Sequence, residues 1–260
     1  MSTELISERR GPCLVLTVRD PATRNSLSPG SNAAAVEALG TAEGDPEVAC
    51  VVWRGDGEHF SAGGNLRRLQ ATRQTGPEAQ VRSLEQLHLL IETLRAFPKP
   101  VIAAVEGYAA GAGCSLALAC DLVVAAEDAQ FVMSYGRAGL SPDGGSTWHL
   151  ARLLTRQQAL RMVWLAEPIG ARDAMALGMV NEVCGHGQAL ERALALGARL
   201  AAMAPNALAS AKELLGDAAN QTLRAQMDAE RDHFVRNLFH ANGGEGIEAF
   251  LSKRAPRFSR

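Results

Sequence analysis

Short apolar runs alternate with longer segments of helical periodicity along the first 150 residues. Four apolar runs predict strands at residues 13–18, 48–55, 101–105 and 122–126. An uninterrupted apolar run of this length, such as VACVVWRG at residues 48–55, is typical of a strand buried on both faces. The segments between the runs predict helices at residues 31–42, 81–97 and 114–120. Strands that alternate with helices favour an α/β fold with parallel strand pairing.

The pattern changes after about residue 150, where nearly all apolar residues recur at helical spacing. Segments such as ARLLTRQQALRMVWL and TLRAQMDAERDHFVRNLF predict helices, and from about residue 188 onward the sequence predicts helices alone. A helical tail of this kind buries its apolar stripe on the core or on a partner subunit. We therefore predict an α/β core at residues 1–200 and a helical region at residues 201–260.

Composition excludes several classes of protein. The 260 residues are 47% hydrophobic and 21% charged, which is typical of a soluble globular protein. A net charge of -2 without a basic stripe argues against a nucleic-acid partner, and no apolar run is long enough for a membrane span. The N-terminus has no apolar signal segment, and the five cysteines form no CxxC pair. We expect a cytoplasmic protein without a metal site.

Two glycine-containing turns follow predicted strands and are the first candidates for chemistry. HFSAGGNLRRL spans residues 59–69, and EGYAAGAGCSLALACD spans residues 106–121. Glycine lets the backbone approach a ligand closely, and the start of a helix offers unpaired N–H groups. Two such turns can each aim one N–H at a single oxygen, although each turn is also explained as a tight strand-to-helix connection. The glycines of the second turn lack GxGxxG spacing.

A third stretch, GLSPDGGSTWHL at residues 139–150, carries one carboxylate, Asp143, between a proline and two glycines. Aspartate is a preferred N-cap residue, and a helix is predicted to follow. A carboxylate that faces a pocket acts instead as a general acid or base. The residues alone leave both interpretations of Asp143 open.

Taken together, HFSAGGNL, KPVIAAVEGYAAGAGCSLALACDLVVAAEDAQF, GLSPDGGSTWHLARL and LGMVNEV resemble the enoyl-CoA hydratase/isomerase (crotonase) superfamily in order and spacing. The resemblance runs from about residue 10 to the end of the chain. Within the superfamily, SPDGGST looks most like enoyl-CoA isomerases and ring-1,2-epoxyphenylacetyl-CoA isomerases. The resemblance implies a crotonase (ClpP-like) spiral of ββα units, with a C-terminal helical region that forms trimers, often paired into hexamers.

The resemblance also implies an acyl-CoA substrate, with coenzyme A as part of the substrate and no separate cofactor. Gly64 and Ala112 match the two backbone donors of the family's oxyanion hole. Further residues are implied to bind substrate or line its path: Arg24, Ser26, Ala62, Asn65, Leu66, Tyr108, Ser115, Tyr135, Pro142, Phe250 and Lys253. The last two match a C-terminal F-x-x-K pattern, which in many members reaches the coenzyme A of a neighbouring subunit.

The sequence departs from the family at two catalytic positions. A typical hydratase has glutamates at the places held here by Ser115 and Tyr135. Neither side chain is a competent base near pH 7, because free tyrosine has a pKa of about 10 and serine does not titrate in that range. In the isomerases with a similar SPDGGST pattern, one aspartate matching Asp143 moves a proton between two carbons. We therefore favour an enoyl-CoA isomerase with Asp143 as its base.

Other functions stay open. In a hydratase, Asp143 would activate a water. In a 4-chlorobenzoyl-CoA dehalogenase-like enzyme, Asp143 would be the nucleophile, with His88 matching the family's histidine and Tyr135 its pocket tryptophan. His88 is equally explained as a histidine on a helix face, and Phe97 is the only aromatic residue of residues 81–97. The intact glycine turns argue against a protein that only binds acyl-CoA or RNA.

Overall fold

The computed structural model describes residues 3–259. Its nine strands, in chain order, are β1 (Glu4–Arg10), β2 (Cys13–Arg19), β3 (Cys50–Gly55), β4 (Val101–Val105), β5 (Tyr108–Ala110), β6 (Leu122–Ala126), β7 (Gln130–Val132), β8 (Ile169–Gly170) and β9 (Glu182–Cys184). Six of them form a large sheet in the order β1-β2-β3-β4-β6-β9, and three form a small sheet in the order β5-β7-β8. The large sheet is parallel from β2 to β9, which confirms the predicted parallel pairing.

The helices connect and cover these sheets. In chain order they are α1 (Pro29–Gly44), α2 (Leu66–Thr72), α3 (Pro77–Ala96), α4 (Ala112–Ala119), α5 (Ser146–Leu153), α6 (Arg156–Leu165), α7 (Ala171–Ala176), α8 (Ala189–Ala201), α9 (Pro205–Asp217), α10 (Leu223–Leu238) and α11 (Ala241–Leu251). Short 3-10 turns lie at Pro21–Thr23, Ser134–Ala138 and Ala218–Asn220. Among the residues described, no helix is both long and apolar enough to cross a membrane.

From β4 to β7, successive strands alternate between the two sheets, and this alternation builds the spiral. β4 lies in the large sheet and β5 in the small one, with only residues 106–107 between them, and β6 and β7 repeat the arrangement. A helix follows each pair, α4 after β5 and α5 after β7, so the chain winds in ββα units as predicted. The strands of the small sheet have two or three residues, too few to give a periodic signal in the sequence.

The core is formed by the central parallel strands and by α4. All eight residues of α4 are buried, and α3 buries Leu87, Leu90, Ile91 and Leu94. This spacing of i, i+3, i+4 and i+7 places one face of α3 against the core, as the sequence predicted. Because α4 is packed on every side, the turn that precedes it has a fixed position.

The C-terminal part of the chain is helical from α8 onward, as predicted. α8 packs on the large sheet, where a side chain on Gly197 would lie 2.5 Å from Cys13 Sγ. α10 packs against both α9 and α11, and many of the large apolar side chains in this region remain exposed. Between residues 150 and 188, β8 and β9 lie between the predicted helices and were not themselves predicted. β1 was not predicted, since its mostly exposed residues carry no apolar alternation.

Candidate active site

The two glycine turns lie against each other. The first turn pairs with β5, where Ser61 donates its N–H to Tyr108 O at 3.0 Å and accepts from Ala110 N–H at 2.8 Å. A Cβ on Gly63, which has a φ of +78°, would lie 2.5 Å from Ala110 O and 2.7 Å from Ala112 N. No side chain fits in that space. A glycine at position 63 therefore allows the first turn to approach the start of α4.

Each turn presents a backbone N–H that makes no hydrogen bond within residues 3–259. Ala112 is the first residue of α4, where the helix supplies no acceptor for the N–H. Its neighbours are bonded, because Gly111 N–H donates to Val132 O at 2.9 Å and Ser115 N–H donates to Gly111 O at 3.1 Å. The exposed Gly64 likewise keeps a free N–H. Two free donors on touching turns fit the oxyanion-hole prediction.

Asp143 is held beside the second turn by two side chains. Tyr135 donates its phenolic hydrogen to Asp143 Oδ1 at 2.6 Å. Ser115, on the first turn of α4, donates from Oγ to the backbone oxygen of Asp143 at 3.1 Å. A Cβ on Gly111 would lie 3.7 Å from Tyr135 Cζ, so the tyrosine ring packs over the second turn. These contacts join the carboxylate to the turn that carries the Ala112 N–H.

The helix-cap interpretation of Asp143 is wrong. α5 begins at Ser146 with Gly145 as its N-cap, and no side chain caps it. Asp143 contributes to this helix only through its backbone oxygen, which accepts from Ser146 N–H at 3.1 Å. Gly144 and Gly145 both have left-handed φ angles, of +59° and +73°, which most residues with a side chain adopt rarely and glycine adopts readily. The double glycine turns the chain so that the carboxylate faces Tyr135.

Burial raises the pKa of the Asp143 carboxyl above its ordinary value. The hydrogen bond from Tyr135 and the positive charge of His88 act in the opposite direction with smaller effects. Burial and the adjacent carboxylate also raise the pKa of Tyr135, so the phenol stays protonated and remains the donor of the pair. A partly desolvated carboxylate is a stronger base than a solvated one, and it can hold the proton it removes.

Comparison with known proteins decides the family. The family model described as "Enoyl-CoA hydratase/isomerase" matches residues 8–260. The chain belongs to the enoyl-CoA hydratase/isomerase family. This confirms the resemblance to the crotonase superfamily and, with it, the predicted spiral fold.

Solved structures and curated relatives agree along the whole chain. An enoyl-CoA hydratase from Polaromonas sp. JS666 is 55% identical, with a TM-score of 0.97, and the match covers 98% of this chain and 99% of that one. The 2,3-dehydroadipyl-CoA hydratase of Escherichia coli K12 is 37% identical over 98% of both chains. The 1,2-epoxyphenylacetyl-CoA isomerase of the same organism is 36% identical over 95% of this chain and 94% of its own. Of the two curated relatives, one is a hydratase and the other an isomerase, and they are similar to this chain in nearly equal degree.

The residues predicted along the coenzyme A path of this family member gather at the first glycine turn. Ala62 donates its N–H to the backbone oxygen of Arg24 at 2.8 Å, and Leu66 is 62% exposed. Asn65 has a structural role, because its side chain caps α2 by accepting hydrogen bonds from two backbone N–H groups. Ser26 is buried, and its Oγ is bonded to Thr23 Oγ1 at 2.8 Å.

The other predicted residues are spread more widely. Pro142 directly precedes Asp143, and Tyr108 is partly exposed at the start of β5, with its ring edge-on to that of His59. Phe250 is exposed on α11, and Lys253 is exposed just after it, next to the C-terminus. α11 packs against α10, and within one chain no described contact joins either residue to Asp143. Their role in binding coenzyme A stays a prediction.

A large cleft beside Asp143 was not predicted from the sequence. It has a volume of about 800 Å³ and lies between α3, α5 and α9. His88, which was considered as a catalytic partner of Asp143, is exposed on α3 and lines this cleft together with Gly144. Its walls are formed by residues from three helices that together span more than 100 positions of the chain, and no linear pattern brings them together.

One group of side chains has the spacing of a cation site. Glu106, Asp128 and His186 place ligand atoms within 4.8 Å of one another. Their atoms already have protein partners: Glu106 accepts the N–H groups of Gly187 and Ala189, and His186 Nδ1 lies 2.9 Å from Asp128 Oδ2. These bonds tie the start of α8 to the end of β4, and they explain the cluster without a metal.

Proposed function

We propose that the protein is an enoyl-CoA isomerase that moves a carbon–carbon double bond along the acyl chain of a CoA thioester. The observation that carries the proposal is the placement of Asp143, a half-buried carboxylate fixed by Tyr135 beside the turn that carries the free Ala112 N–H, with the turn that carries the free Gly64 N–H packed against it. A base and an oxyanion hole in one site are the two parts that this reaction requires.

In the proposed reaction, the thioester oxygen accepts hydrogen bonds from the N–H groups of Gly64 and Ala112. Asp143 removes a proton from the α carbon of a 3-enoyl thioester, the electron pair of that C–H bond forms a double bond to the carbonyl carbon, and the carbonyl π electrons move to the thioester oxygen to give a dienolate that can be protonated at its γ carbon. The N–H donors stabilise the negative charge on the oxygen. Protonation by the Asp143 carboxyl at another carbon then completes the shift, so the reaction has no net change in atoms.

The absence of a second base favours isomerisation over hydration. Besides Asp143, the polar side chains at this point are the hydroxyls of Ser115 and Tyr135, which are 3.4 Å apart. Both are buried, and neither carries a negative charge near neutral pH. One carboxylate suffices to move a proton between two carbons, whereas the two-glutamate hydratase mechanism shares the activation of water between two groups.

Hydration is the second candidate, and the comparisons are the observation that favours it. The 55% identical structure from Polaromonas is described as an enoyl-CoA hydratase. In that case Asp143 would orient and deprotonate a water for attack on a 2-enoyl thioester. A third chemistry, attack by the Asp143 carboxylate on an aryl carbon, draws on His88, whose charge lowers the pKa of Asp143.

Product mass separates the three chemistries. Wild-type protein is incubated with trans-2-enoyl-CoA, 3-enoyl-CoA or 4-chlorobenzoyl-CoA, and the products are followed by ultraviolet absorbance and mass spectrometry. The isomerase proposal predicts that 3-enoyl-CoA becomes a conjugated thioester of unchanged mass. Addition of one water to the 2-enoyl substrate would contradict the isomerase proposal and support the hydratase. Release of chloride from 4-chlorobenzoyl-CoA would contradict it and support the dehalogenase.

We also propose that the C-terminal helices join copies of the chain into a trimer or a dimer of trimers in the cytoplasm. Large apolar side chains are exposed on α10, α11 and the residues between them: Phe234, Phe239, Phe250 and Leu251 are each at least 68% exposed. Monomeric soluble proteins rarely expose contiguous apolar surface of this kind. Burial of this surface between subunits is the arrangement that would also bring Phe250 and Lys253 to a neighbouring site.

A further inference from the structure

The cleft between α3, α5 and α9 begins at the proposed active site and leads away from it. Its wall on α3 runs from His88, beside the Asp143–Gly144 turn, to Phe97 and Pro98 at the far end. These nine positions correspond to about 13 Å along a helix that rises 1.5 Å per residue. The cleft therefore has the length and the starting point of a channel for an extended acyl chain.

Two polar side chains that line this cleft make no hydrogen bond or ion pair within residues 3–259. His149, on α5, is only 5% exposed, and its imidazole makes no hydrogen bond in the described part of the chain, although its ring packs edge-on against that of Trp148. Arg95, on α3, is half-buried, and its guanidinium makes neither an ion pair nor a hydrogen bond within residues 3–259, although it lies 5.4 Å from the ring centroid of Trp148. Buried polar groups are normally bonded, so such a pair suggests a ligand.

The remaining cation of the cleft is already used. Lys212, on α9, donates to Asp121 Oδ2 at 2.8 Å and to Leu94 O at 3.0 Å. Burial and the positive charges of Arg95 and Arg152 lower the pKa of His149 to about 4, so its imidazole is neutral at physiological pH. Beyond His88 at the start of the cleft, the guanidinium of Arg95 is therefore the cation that is available to a ligand among the described lining residues.

The acidic side chains of the cleft lie at its exposed rim. Glu92, Glu213 and Asp217 are all exposed, and Glu213 lies 3.7 Å from His233. Charges in contact with solvent are screened, whereas the half-buried Arg95 is screened less. The negative charges of the cleft therefore lie at its outer edge, and Arg95 places a positive charge on its inner wall.

We propose that this cleft receives the far end of the acyl chain, and that Arg95 and His149 bind a carboxylate there. The inference rests on the proposed function, since it assigns the specificity of the same site. Arginine pairs with a carboxylate through two parallel hydrogen bonds, and a neutral imidazole supplies one more donor. Arg95 lies seven residues, or about 10 Å, along α3 from His88. The preferred substrate is thus an enoyl-CoA of medium length whose chain ends in a carboxylate.

Paired substrates test this specificity. Two enoyl-CoA thioesters of equal chain length, one ending in a carboxylate and one in a methyl group, are compared by kcat/KM for wild type and for Arg95→Gln. We expect wild type to prefer the carboxylate by about tenfold or more, which is the usual value of a charge-assisted hydrogen bond. Arg95→Gln should lose this preference through KM on the carboxylate substrate, while the methyl substrate changes less than about threefold.

Arg152→Gln is the matched control. Arg152 also lies over the Trp148 ring, 3.6 Å from its centroid, but does not line the cleft. The Arg152→Gln variant should therefore keep the wild-type preference for the substrate that ends in a carboxylate. Arg95→Lys, which keeps the charge without the planar fork, should give an intermediate preference and guards against misfolding of the glutamine variant. Equal loss on both substrates in Arg95→Gln, or no preference in wild type, would overturn the proposal.

A binding measurement separates this proposal from the isomerase proposal. Saturated acyl-CoA thioesters with the same two chain ends cannot react, and their dissociation constants are measured by calorimetry for wild type and Arg95→Gln. Tighter binding of the carboxylate-ended thioester, lost in the variant, supports the cleft assignment even if no isomerisation is found. Equal binding of both thioesters by wild type contradicts it even if the isomerase activity is real.

Discussion

The hydroxyl of Tyr135 donates a 2.6 Å hydrogen bond to Asp143 Oδ1 and fixes the carboxylate over the turn that leads into α4. This bond replaces the capping bond that aspartate most often makes at the start of a helix. The carboxylate is consequently turned toward the proposed acyl pocket, with its charge stabilised by one phenol and opposed by burial.

Removal of that hydroxyl should shift the pH dependence of activity. Asp143 acts as a base only when it is ionised, and the bond from Tyr135 lowers its pKa. In Tyr135→Phe the pKa of Asp143 rises, so the acid limb of kcat/KM moves to higher pH. The measurement is the pH profile of both proteins with a 3-enoyl-CoA substrate.

Ser115→Ala is the control for that profile. Ser115 donates to the backbone oxygen of Asp143 and not to its carboxylate, so the acid limb should stay where it is and turnover should fall little. A loss above about a hundredfold, comparable to the loss of an oxyanion donor, would instead place the serine in the chemistry. An unchanged acid limb in Tyr135→Phe would contradict the assignment of Asp143 as the titrating base.

Gly63→Ala should damage catalysis more than it damages the fold. The added Cβ would lie 2.7 Å from Ala112 N and push apart the two turns that carry the oxyanion donors. We expect kcat to fall by about a hundredfold or more. Gly178→Ala is the matched control, because Gly178 has nearly the same φ, +79°, with no atom within 4 Å of the new Cβ.

Both alanine variants should lose about 1–2 kcal/mol of stability from the strained left-handed backbone, and Gly63→Ala should lose more, because its Cβ also clashes with backbone atoms of the second turn. Urea unfolding measures this loss, and steady-state kinetics measure the activity. Only Gly63→Ala is expected to lose turnover. Full activity in a folded Gly63→Ala protein would show that contact between the two turns is not required.

Asp143→Asn should stabilise the protein at neutral pH. Burial holds the pKa of Asp143 in the folded state above its unfolded value, so the folded state binds the proton more tightly. The free energy of unfolding therefore falls as pH rises between the two pKa values. Above both values the ionised carboxylate destabilises the folded state by its full amount. Asparagine removes the penalty and keeps an oxygen that accepts from Tyr135.

The pH dependence of that effect provides its own control. Thermal unfolding at pH 7 should give a higher Tm for Asp143→Asn than for wild type. The difference should shrink as the pH approaches the ordinary aspartate pKa of about 4, where both proteins are uncharged at this position. A difference that is constant with pH would point to a packing effect of the amide instead.

The C-terminal apolar face should control oligomeric state. Phe239 is 83% exposed in the single chain, and Phe239→Ser removes a large part of the surface that subunits would share. Light scattering should show a trimer or hexamer for wild type and smaller species for the variant at micromolar concentration. Phe239→Leu keeps the apolar contact and should keep the assembly. A monomeric wild-type protein would refute the trimer proposal.

The fold could be predicted from the sequence where apolar patterns were long. The strand at residues 101–105 and the stripe of Leu87, Leu90, Ile91 and Leu94 on α3 were found, because buried strands and amphipathic helices leave periodic signals. β1 and the short strands of the small sheet were missed, since pairing between distant segments rather than local pattern creates them. The spiral was predicted from the order of the family motifs and not from hydrophobic periodicity.

The site was predicted in part. Position and residue type singled out Asp143 and the two glycine turns, but the sequence alone could not decide between a cap and a base. That decision depends on Tyr135, which approaches Asp143 through tertiary packing of the turn after β7. Arg95 and His149 gave no signal at all, because the cleft exists only where α3, α5 and α9 meet.

The central claim is that Asp143 moves the proton while other residues bind the thioester. The most direct test compares wild type and Asp143→Asn with 3-enoyl-CoA, and measures turnover by ultraviolet absorbance and product mass, and affinity for a saturated acyl-CoA by calorimetry. We predict conversion to the conjugated isomer at unchanged mass by wild type, loss of turnover by at least about a thousandfold in the variant, and nearly unchanged affinity. Full isomerase activity in Asp143→Asn would contradict the account.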